Sequence, residues 1–512
     1  MLLAGVPAGV HAQSEDEDAP ADTLSAVRER GELWWGADAQ GGAPFIFQDP
    51  RDPNHLIGFE VDLADAIAKK LGVTAHPVQG QWDKLLELLA RGDFDIALNG
   101  IEASAEKLRV CLLSEPYYVA AERMTVRRGD GSAPRVLHDV KGRRIGTLPG
   151  ALPESILTRA GAEVHTYDGG QDDIYKDLLL GRTDGVLLDD PITQYYGAIE
   201  PELEVVPASF GEVRYAIAVR AGDMAMKAAI DAALAELAAD GTLRAIYERW
   251  GLWNAETASL LGDPDAKPRG VAEAWEAWRA AVGKKPPFFE RVRHQYPAMM
   301  AVFAKGALIT LAVCVLAMAL AIVVGIVLAV LRSFAPQPLR LLATAYVELF
   351  RGTPLLVQLT MIYFGLPELG LTLTPFAAGV LALGLNYAAA ESENYRAGFL
   401  SVPSAQMDAA RVLGFTTPQA LRFVVLPQAV RVSLPPMTND FIALLKDSSL
   451  VSVVTLTELT KTYSILANST RDHLGLGVVV AAWYLLIGLP FVLLSRRLER
   501  RLGAHMARAG GA

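Results

Sequence analysis

The chain has 512 residues, a formal net charge of −10 and a mean hydropathy of +0.26. The excess of acid argues against a nucleic-acid partner, because binding to phosphates requires a basic face. The length exceeds that of one typical domain, and the apolar residues are concentrated in the second half. Cys111 and Cys314 lie in segments of different character, so no structural disulfide is predicted. We therefore expect a soluble α/β half followed by an all-α membrane half.

Residues 1–23 are predicted to be the remnant of a secretory signal peptide and a flexible segment. A short apolar stretch precedes Val10-His11-Ala12, which is a cleavage site of the small-x-small type. The basic segment that normally begins a signal peptide is missing, so a plain disordered tail is the alternative.

Residues 24–253 alternate short apolar runs with amphipathic helical patterns, which is typical of an α/β domain. The stretch at 58–72 predicts a helix that ends at Gly72, and the stretch at 83–100 predicts a helix, a turn and a strand. A second series of strands and helices follows, which predicts two lobes. The strand-like segments 122–128 and 213–220 are the expected crossings, and lobes joined by hinge strands close around a ligand.

No catalytic pattern competes with a binding function in this half. The sequence contains no GxSxG, HExxH or CxxC motif, and its histidines lack ligand spacing. We therefore predict a site that binds without transforming its ligand, with no metal and no cofactor held by this chain.

Several segments of this half carry a family resemblance: GFEVDLADAIAKKLG at 58–72, DFDIALNGIEAS at 93–104, SEPYY at 114–118, GRTDGVLLDDP at 181–191 and LRAIYERWGLW at 243–253. Together they resemble the periplasmic amino-acid-binding proteins of ABC importers. The resemblance covers nearly all of residues 24–253 and implies a two-lobed domain that binds a polar amino acid.

The resemblance also implies which groups hold the carboxylate of the ligand. An arginine ahead of the SEPYY motif is usual, but the matching position is Lys107, with Arg109 two residues on. Lysine offers a point charge where arginine offers a bidentate fork. Either Lys107 pairs more loosely, or Arg109 pairs after a register shift, or the ligand is not a standard α-amino acid. Gly150 matches a loop whose backbone amides reach the same carboxylate.

The other ligand residues follow from the same match. Asp189, at the end of a predicted strand, is expected to receive the ammonium of the ligand, while one of the pair, such as its neighbour Asp190, caps the next helix. Trp82 matches an aromatic residue that flanks the ligand, although a tryptophan in such a place is otherwise more often core. The first lobe adds Asp38 for the side chain or amine of the ligand, Gly100, and Glu102, whose extra acid favours a cationic side chain.

Residues 254–298 are predicted to be a linker, and residues 299–500 a membrane domain of about five spans followed by a tail at 501–512. The linker contains an amphipathic helix with Trp275 and Trp278, which lies either at the membrane interface or packed on protein. The expected spans are Gly306–Leu331, 341–367, 373–391, 432–456 and Gly475–Ser495.

The distribution of arginine predicts the orientation. Arginines follow the first, third and fifth expected spans, so the positive-inside rule places the 396–431 loop and the C-terminus in the cytoplasm. The N-terminal domain then lies outside the cytoplasm. We expect a multi-pass protein of the cell (inner) membrane in contact with the lipid bilayer.

The stretch MDAARVLGFTTPQALRFVVLPQAV at 407–430 resembles the coupling (EAA) motif of ABC-importer permeases. The residues that carry this resemblance are Asp408, Ala409, Ala410, Gly414 and Pro427. The flanks ELFRGTPLLVQL, ENYRAGFLSVP and LLKDSSLVSVVTLTEL resemble polar-amino-acid permeases across residues 300–500.

This second resemblance implies the remaining partners. The chain has no G-x-x-x-x-G-K-[ST] motif, so the resemblance implies a separate ABC ATPase that binds ATP and Mg, and a homodimer of the permease. The alternative function is a sensor or ligand-gated channel with a two-lobed domain.

Overall fold

The computed structural model describes residues 23–167, 170–283 and 286–509, with side chains described to Arg497. The predicted signal segment therefore lies outside the described residues, except for Thr23, which begins the first helix.

The first lobe is a five-stranded sheet in the order β4-β1-β5-β12-β6, flanked by helices, and its strand β12 (Ala218–Arg220) comes from the later part of the chain. β1 runs parallel to β4 and β5, and apolar side chains such as Leu33, Trp35 and Leu63 fill the space between sheet and helices. The elements up to the first crossing are α1 (Thr23–Arg30), β1 (Glu32–Ala37), β2 (Phe47–Gln48), β3 (Leu56–Ile57), α2 (Phe59–Leu71), β4 (Thr74–Gln79), α3 (Leu85–Arg91), β5 (Ile96–Ala97) and β6 (Cys111–Leu113).

The second lobe is a sheet in the order β11-β7-β10-β8-β9, in which β8, β9 and β10 are parallel. Met124, Ile145, Leu157 and Leu187 form its core. Its elements are β7 (Tyr118–Arg127), β8 (Arg144–Thr147), α4 (Leu152–Ala160), β9 (Glu163–Thr166), α5 (Gln171–Leu179), β10 (Gly185–Asp189), α6 (Asp190–Ile192) and β11 (Leu203–Tyr215).

The chain returns to the first lobe through β12 (Ala218–Arg220), α7 (Met224–Ala239) and α8 (Thr242–Arg249). β7 and β11 pair along their length in the sheet of the second lobe, and the chain passes between the lobes just before β7 and just after β11. The predicted crossing at 213–220 therefore contains the return from β11 to β12, whereas the predicted crossing at 122–128 lies inside β7, beyond the point where the chain enters the second lobe. Gly241, at a φ of 82°, divides the closing helical segment into α7 and α8, since only glycine adopts this left-handed conformation without strain.

The linker folds onto the second lobe. It contains α9 (Ala255–Leu260), α10 (Glu273–Val282) and α11 (Phe288–His294). The rings of Trp275 and Trp278 lie 4.6 and 4.7 Å from that of Tyr195, and Trp278 is buried. The amphipathic helix is therefore packed on protein, which is the second of the two alternatives that the sequence left open.

The described part of the membrane half is built from helices. It consists of α12 (Tyr296–Phe334), α13 (Gln337–Gly352), α14 (Leu355–Thr360), α15 (Pro375–Ser401), α16 (Ser404–Val412), α17 (Thr417–Ala420), α18 (Leu426–Asp447), α19 (Leu459–Thr470) and α20 (His473–Ala509).

Among the described residues, α12 and the His473–Arg497 part of α20 are long and apolar enough to cross a membrane. The second predicted span is not one straight helix: α13 and the segment Leu355–Leu369 meet at 107°, which raises the number of spans to as many as three. The bend occurs at Thr353-Pro354, because proline lacks an N–H and forces the preceding residue into an extended conformation. α15 and α18 occupy the third and fourth predicted positions but are more polar, so the number five stays a prediction.

Candidate ligand cleft

A cavity of about 440 Å³ lies between the two lobes. Its lining includes residues at or just after the carboxyl ends of β1, β5, β8 and β10. Ligands of open α/β sheets bind at this end of the strands. Five of its lining residues are acids, and its wall is completed by four residues of the membrane domain. The acids are Asp38, Asp83, Glu102, Glu122 and Asp189, and the membrane-domain residues are Ser452, Val453, Lys461 and Ser464.

Glu102 occupies the place where a ligand carboxylate was expected. Its Oε2 lies 3.3 Å from Lys107 Nζ, and both of its oxygens accept from the Leu152 N–H, at 2.9 and 3.0 Å. Leu152 begins α4 in the second lobe, so this carboxylate joins the two lobes. Lys107 therefore approaches the cleft through Glu102, and its ammonium also lies 5.2 Å from the Trp82 ring.

Two other predicted carboxylate ligands are not brought to the cleft. Arg109 is exposed and is not among the lining residues. Gly150 is exposed at a φ of 70°, and its N–H donates to Glu154 Oε2 at 2.7 Å. The amide that points inward belongs to Leu152, two residues later, because the turn at Gly150 leads into α4.

Asp189 lies at the cleft, as the sequence predicts, but it also caps a helix. Its Oδ1 accepts from the Ile192 N–H at 3.0 Å, and Oδ2 accepts from the Tyr215 hydroxyl. Asp190 instead pairs with Arg123, at 2.8 Å from Nε. The cap expected of Asp190 is therefore provided by Asp189. Burial raises the pKa of Asp189 to about 7, despite the hydrogen bonds that favour its charged form.

The first-lobe candidates all line the cleft. Asp38 is already engaged, since its carboxylate accepts from Gln79 Nε2 at 2.7 Å and from the Gln40 and Trp82 N–H groups. The Trp82 indole donates to the Asn99 carbonyl at 2.8 Å, which fixes the ring at the cleft wall. The Gly100 N–H donates to Glu60 at 2.7 Å.

Sequence reasoning missed Glu122, on β7. It borders the cavity with none of its surface open to solvent, and neither carboxylate oxygen has a hydrogen-bond partner among the described residues. Burial, together with the charges of Asp189, Glu102 and Asp190, raises the pKa of Glu122 well above its usual range. An acid inside the apolar run of a strand was the signal available in the sequence.

The membrane domain contacts both lobes. Gln40 in the first lobe accepts from Lys461 Nζ at 2.7 Å, and its carbonyl accepts from Asn468 Nδ2 at 2.8 Å. In the second lobe, Asp172 and Glu200 accept from the guanidinium of Arg471. The opposite side of the first lobe is held by Arg91, which donates to the carbonyls of Tyr363 and Leu373 at 2.9 and 3.2 Å. No sequence signal pointed to these pairs, because they join residues hundreds of positions apart.

The predicted coupling segment forms two helices separated by a turn. α16 ends before Gly414, whose φ of 87° makes the turn, and Thr416 and Gln419 form a capping box for α17. Ala410 is buried, whereas Asp408, Ala409, Gly414 and Pro427 are exposed. Val412 and Leu413 are 87% and 77% exposed, so the turn between α16 and α17 presents an exposed apolar patch.

The two halves match two family models. Residues 36–252 match the bacterial extracellular solute-binding proteins of family 3, and residues 321–504 match the inner membrane component of binding-protein-dependent transport systems.

Relatives with high coverage exist for each half. The probable glutamine ABC transporter permease protein GlnM of Bacillus subtilis is 40% identical over 38% of this chain and 89% of its own length. The L-cystine-binding protein TcyJ of Escherichia coli is 32% identical over 44% of this chain and 85% of its own. A solved ancestral arginine-binding protein bound to arginine is 32% identical, covering 43% of this chain and 98% of that one, with a TM-score of 0.39.

These matches identify the membrane half as an inner-membrane permease domain, and they place a solute-binding domain in the same polypeptide. The chain therefore belongs to the amino-acid ABC transporters, as a family 3 solute-binding protein fused to a binding-protein-dependent permease.

Proposed function

We propose that this chain is the receptor and the permease of an ATP-driven importer of polar amino acids. The observation that carries the proposal is the shared cavity: Lys461 and Ser464 of the membrane domain complete the wall of the cleft between the lobes. A ligand held there already faces the permease. The names of the relatives, which include glutamine and cystine transport proteins, support amino acids as the ligand class.

The binding residues in this proposal surround that cavity. Asp189 receives the ammonium of the ligand, Trp82 packs beside it, and Asp38, Gly100 and Glu102 form the first-lobe wall. Lys107 acts through Glu102, and the α4 amide at Leu152 takes the role expected of Gly150.

Transport requires energy from a partner ATPase, which binds ATP and Mg. The segment from α16 to Pro427 is the proposed contact, because its small residues and the exposed Val412 and Leu413 offer an apolar surface to a groove. Closure of the partner ATPase would then move α16 and α17 together, and this motion would be transmitted to the flanking helices α15 and α18.

The arrangement in the membrane follows from the same function. The binding domain lies outside the cytoplasm, and the coupling segment and the C-terminus lie inside, in agreement with the arginines near them. Two copies of the permease enclose one pathway, so each assembly carries two tethered receptors. Tethering raises the effective concentration of the receptor at the entrance.

Calorimetric titration of the full chain in lipid nanodiscs with individual amino acids tests the ligand class. We expect micromolar or tighter binding of at least one polar amino acid and a loss of roughly tenfold or more on Asp189→Asn, which keeps the helix cap. Asp173→Asn is the control, because that carboxylate is exposed and outside the cleft. Absence of binding by every amino acid would refute the proposal.

A further inference from the structure

The groups expected to hold a ligand carboxylate hold a carboxylate of the protein. Lys107 and the Leu152 N–H, one from each lobe, both bind Glu102, at 3.3 Å and at 2.9 to 3.0 Å. A backbone N–H at a helix N-terminus and an ammonium are a matched pair for one anion. Because Glu102 already accepts from both groups, a second carboxylate placed there would meet a like charge and a backbone N–H that is already engaged.

The rest of the cleft carries more acidic than basic side chains. Lys461 is the cation among its lining residues, and its ammonium is engaged by Gln40. Asp38 is satisfied within its own lobe, and Asp189 is held by Tyr215 and Ile192. These bonds do not supply a positive charge to balance the acids.

Glu122 provides an independent observation. It borders the cavity, it is fully buried, and both of its oxygens lack a donor among the described residues. A buried carboxylate without a partner is costly, and the cost is removed when a charged donor approaches. An ammonium or guanidinium supplies both the donors and the charge.

We propose that the cleft selects an organic cation, and that Glu102 replaces the carboxylate that other ligands of this fold would bring. Glu122 and Asp189 receive the ammonium or guanidinium group. This inference rests on the proposed function, which makes the cleft the site that binds the transported ligand. It adds the chemical class of that ligand. Cationic amino acids and their carboxylate-free amines share the recognised chemistry.

The test is calorimetric titration of the full chain in lipid nanodiscs with L-arginine, agmatine and L-citrulline. Agmatine lacks the carboxylate of arginine, and citrulline lacks its charge. We expect agmatine to bind within about threefold of arginine, and citrulline to bind at least roughly tenfold more weakly than either. Citrulline within threefold of arginine, or agmatine more than tenfold weaker than arginine, would overturn the inference.

Two variants assign the preference to residues. Glu102→Ser frees Lys107 and the Leu152 N–H, so arginine should gain roughly tenfold over agmatine. Glu106→Ser removes the same charge outside the cleft and should leave the ratio unchanged. Glu122→Gln should reduce the preference for arginine over citrulline by about tenfold. An unchanged ratio in both Glu102→Ser and Glu122→Gln, with thermal unfolding preserved, would contradict the assignment.

The result also separates this inference from the proposed function. Binding of glutamine or cystine in preference to all three probes would overturn the cation class and leave amino-acid import standing. Failure of every amino acid and amine to bind would overturn both.

Discussion

Lys461 of the membrane domain donates a hydrogen bond to Gln40 of the first lobe, with Nζ 2.7 Å from Oε1. Lys461 is 5% exposed and lines the cavity between the lobes, so one side chain of the membrane domain forms part of the wall of the cleft. Asn468, on the same helix α19, holds the Gln40 carbonyl. The position of the first lobe is therefore set by α19, the helix whose Lys461 and Ser464 also line the cavity.

Replacing Lys461 should impair transfer of the ligand more than its capture. Loss of a buried, charge-assisted hydrogen bond costs about 1.5–3 kcal/mol, so we expect Lys461→Ala to slow uptake by roughly ten- to a hundredfold. Uptake and ligand affinity are measured on the same proteoliposomes. Lys305→Ala is the control, because that lysine is exposed on α12. Equal uptake rates in the two variants would rule out the role of Lys461.

Arg471 should control the docking of the second lobe. Its guanidinium contacts Asp172 and Glu200 at 2.5 and 2.7 Å, which only a forked side chain achieves together. Arg471→Ala should increase hydrogen exchange in α5 by about tenfold or more, and Arg471→Lys should give an intermediate increase. Arg144→Ala, at a pair within the second lobe, is the control. Unchanged exchange in α5 would show that the contact does not hold the lobe.

The acids of the cleft predict a dependence of stability on pH. Burial raises the pKa of Asp189 to about 7 and that of Glu122 well above its usual range, while both titrate near 4 when unfolded. The folded state then binds more protons, so the stability of the binding domain should fall as pH rises from about 4 to 7.

The same acids should couple ligand binding to proton release. A cation favours the charged carboxylates, so its affinity should increase between pH 6 and pH 8. Thermal unfolding between pH 4 and pH 7 measures the effect on stability, and ligand titration between pH 6 and pH 8 measures the effect on affinity. The double variant Glu122→Gln and Asp189→Asn should flatten both profiles, and profiles as steep as those of the unaltered chain would contradict the assignment.

The apolar corner between α16 and α17 should determine coupling to the ATPase. An aspartate at Leu413 places a charge where the partner groove is expected to be apolar, so Leu413→Asp should reduce ligand-stimulated ATP hydrolysis by roughly tenfold or more. Ligand affinity should not change, since none of the residues that line the cleft belongs to α16 or α17. Leu369→Asp, at an exposed leucine outside the segment, is the control. Normal stimulation in Leu413→Asp would exclude this contact.

The linker helix α10 should stabilise the binding domain. Trp278 is 3% exposed and packs on Tyr195, so Trp278→Ala should lower the free energy of unfolding by about 3–5 kcal/mol. Phe289→Ala, at an aromatic residue of the same linker that is 82% exposed, should change it by less than about 0.5 kcal/mol. Calorimetric unfolding of the two variants provides the comparison. Similar free energies of unfolding in both variants would show that α10 does not stabilise the binding domain.

Periodicity and local motifs predicted the elements well. Helix α2 ends at Gly72, the predicted segment 213–220 contains the return crossing from β11 to β12, and Gly414 makes the turn of the coupling segment. Each depends on neighbours in sequence, through hydrophobic spacing or the left-handed conformation of glycine. The bend at Pro354 had the same kind of local signal, but the apolar run around it suggested one continuous span.

The details of the site could not be predicted in the same way. The match identified Lys107 and Gly150, but the structure places Glu102 between the two lobes, with Leu152 as the donor. Whether Asp189 or Asp190 caps α6 depends on Arg123 and Tyr215, which approach from other strands. The sequence offered one signal for Glu122, an acid inside an apolar strand, but only the tertiary fold shows that its carboxylate has no hydrogen-bond partner among the described residues.

The central claim is that one polypeptide contains both the receptor and the pathway. The most direct measurement is uptake of labelled amino acids into proteoliposomes that contain this chain and an ABC ATPase, with no soluble binding protein added. The account predicts uptake that requires ATP and is reduced at least tenfold by Asp189→Asn. Uptake only after addition of a separate binding protein, or flux that is independent of ATP, would contradict it.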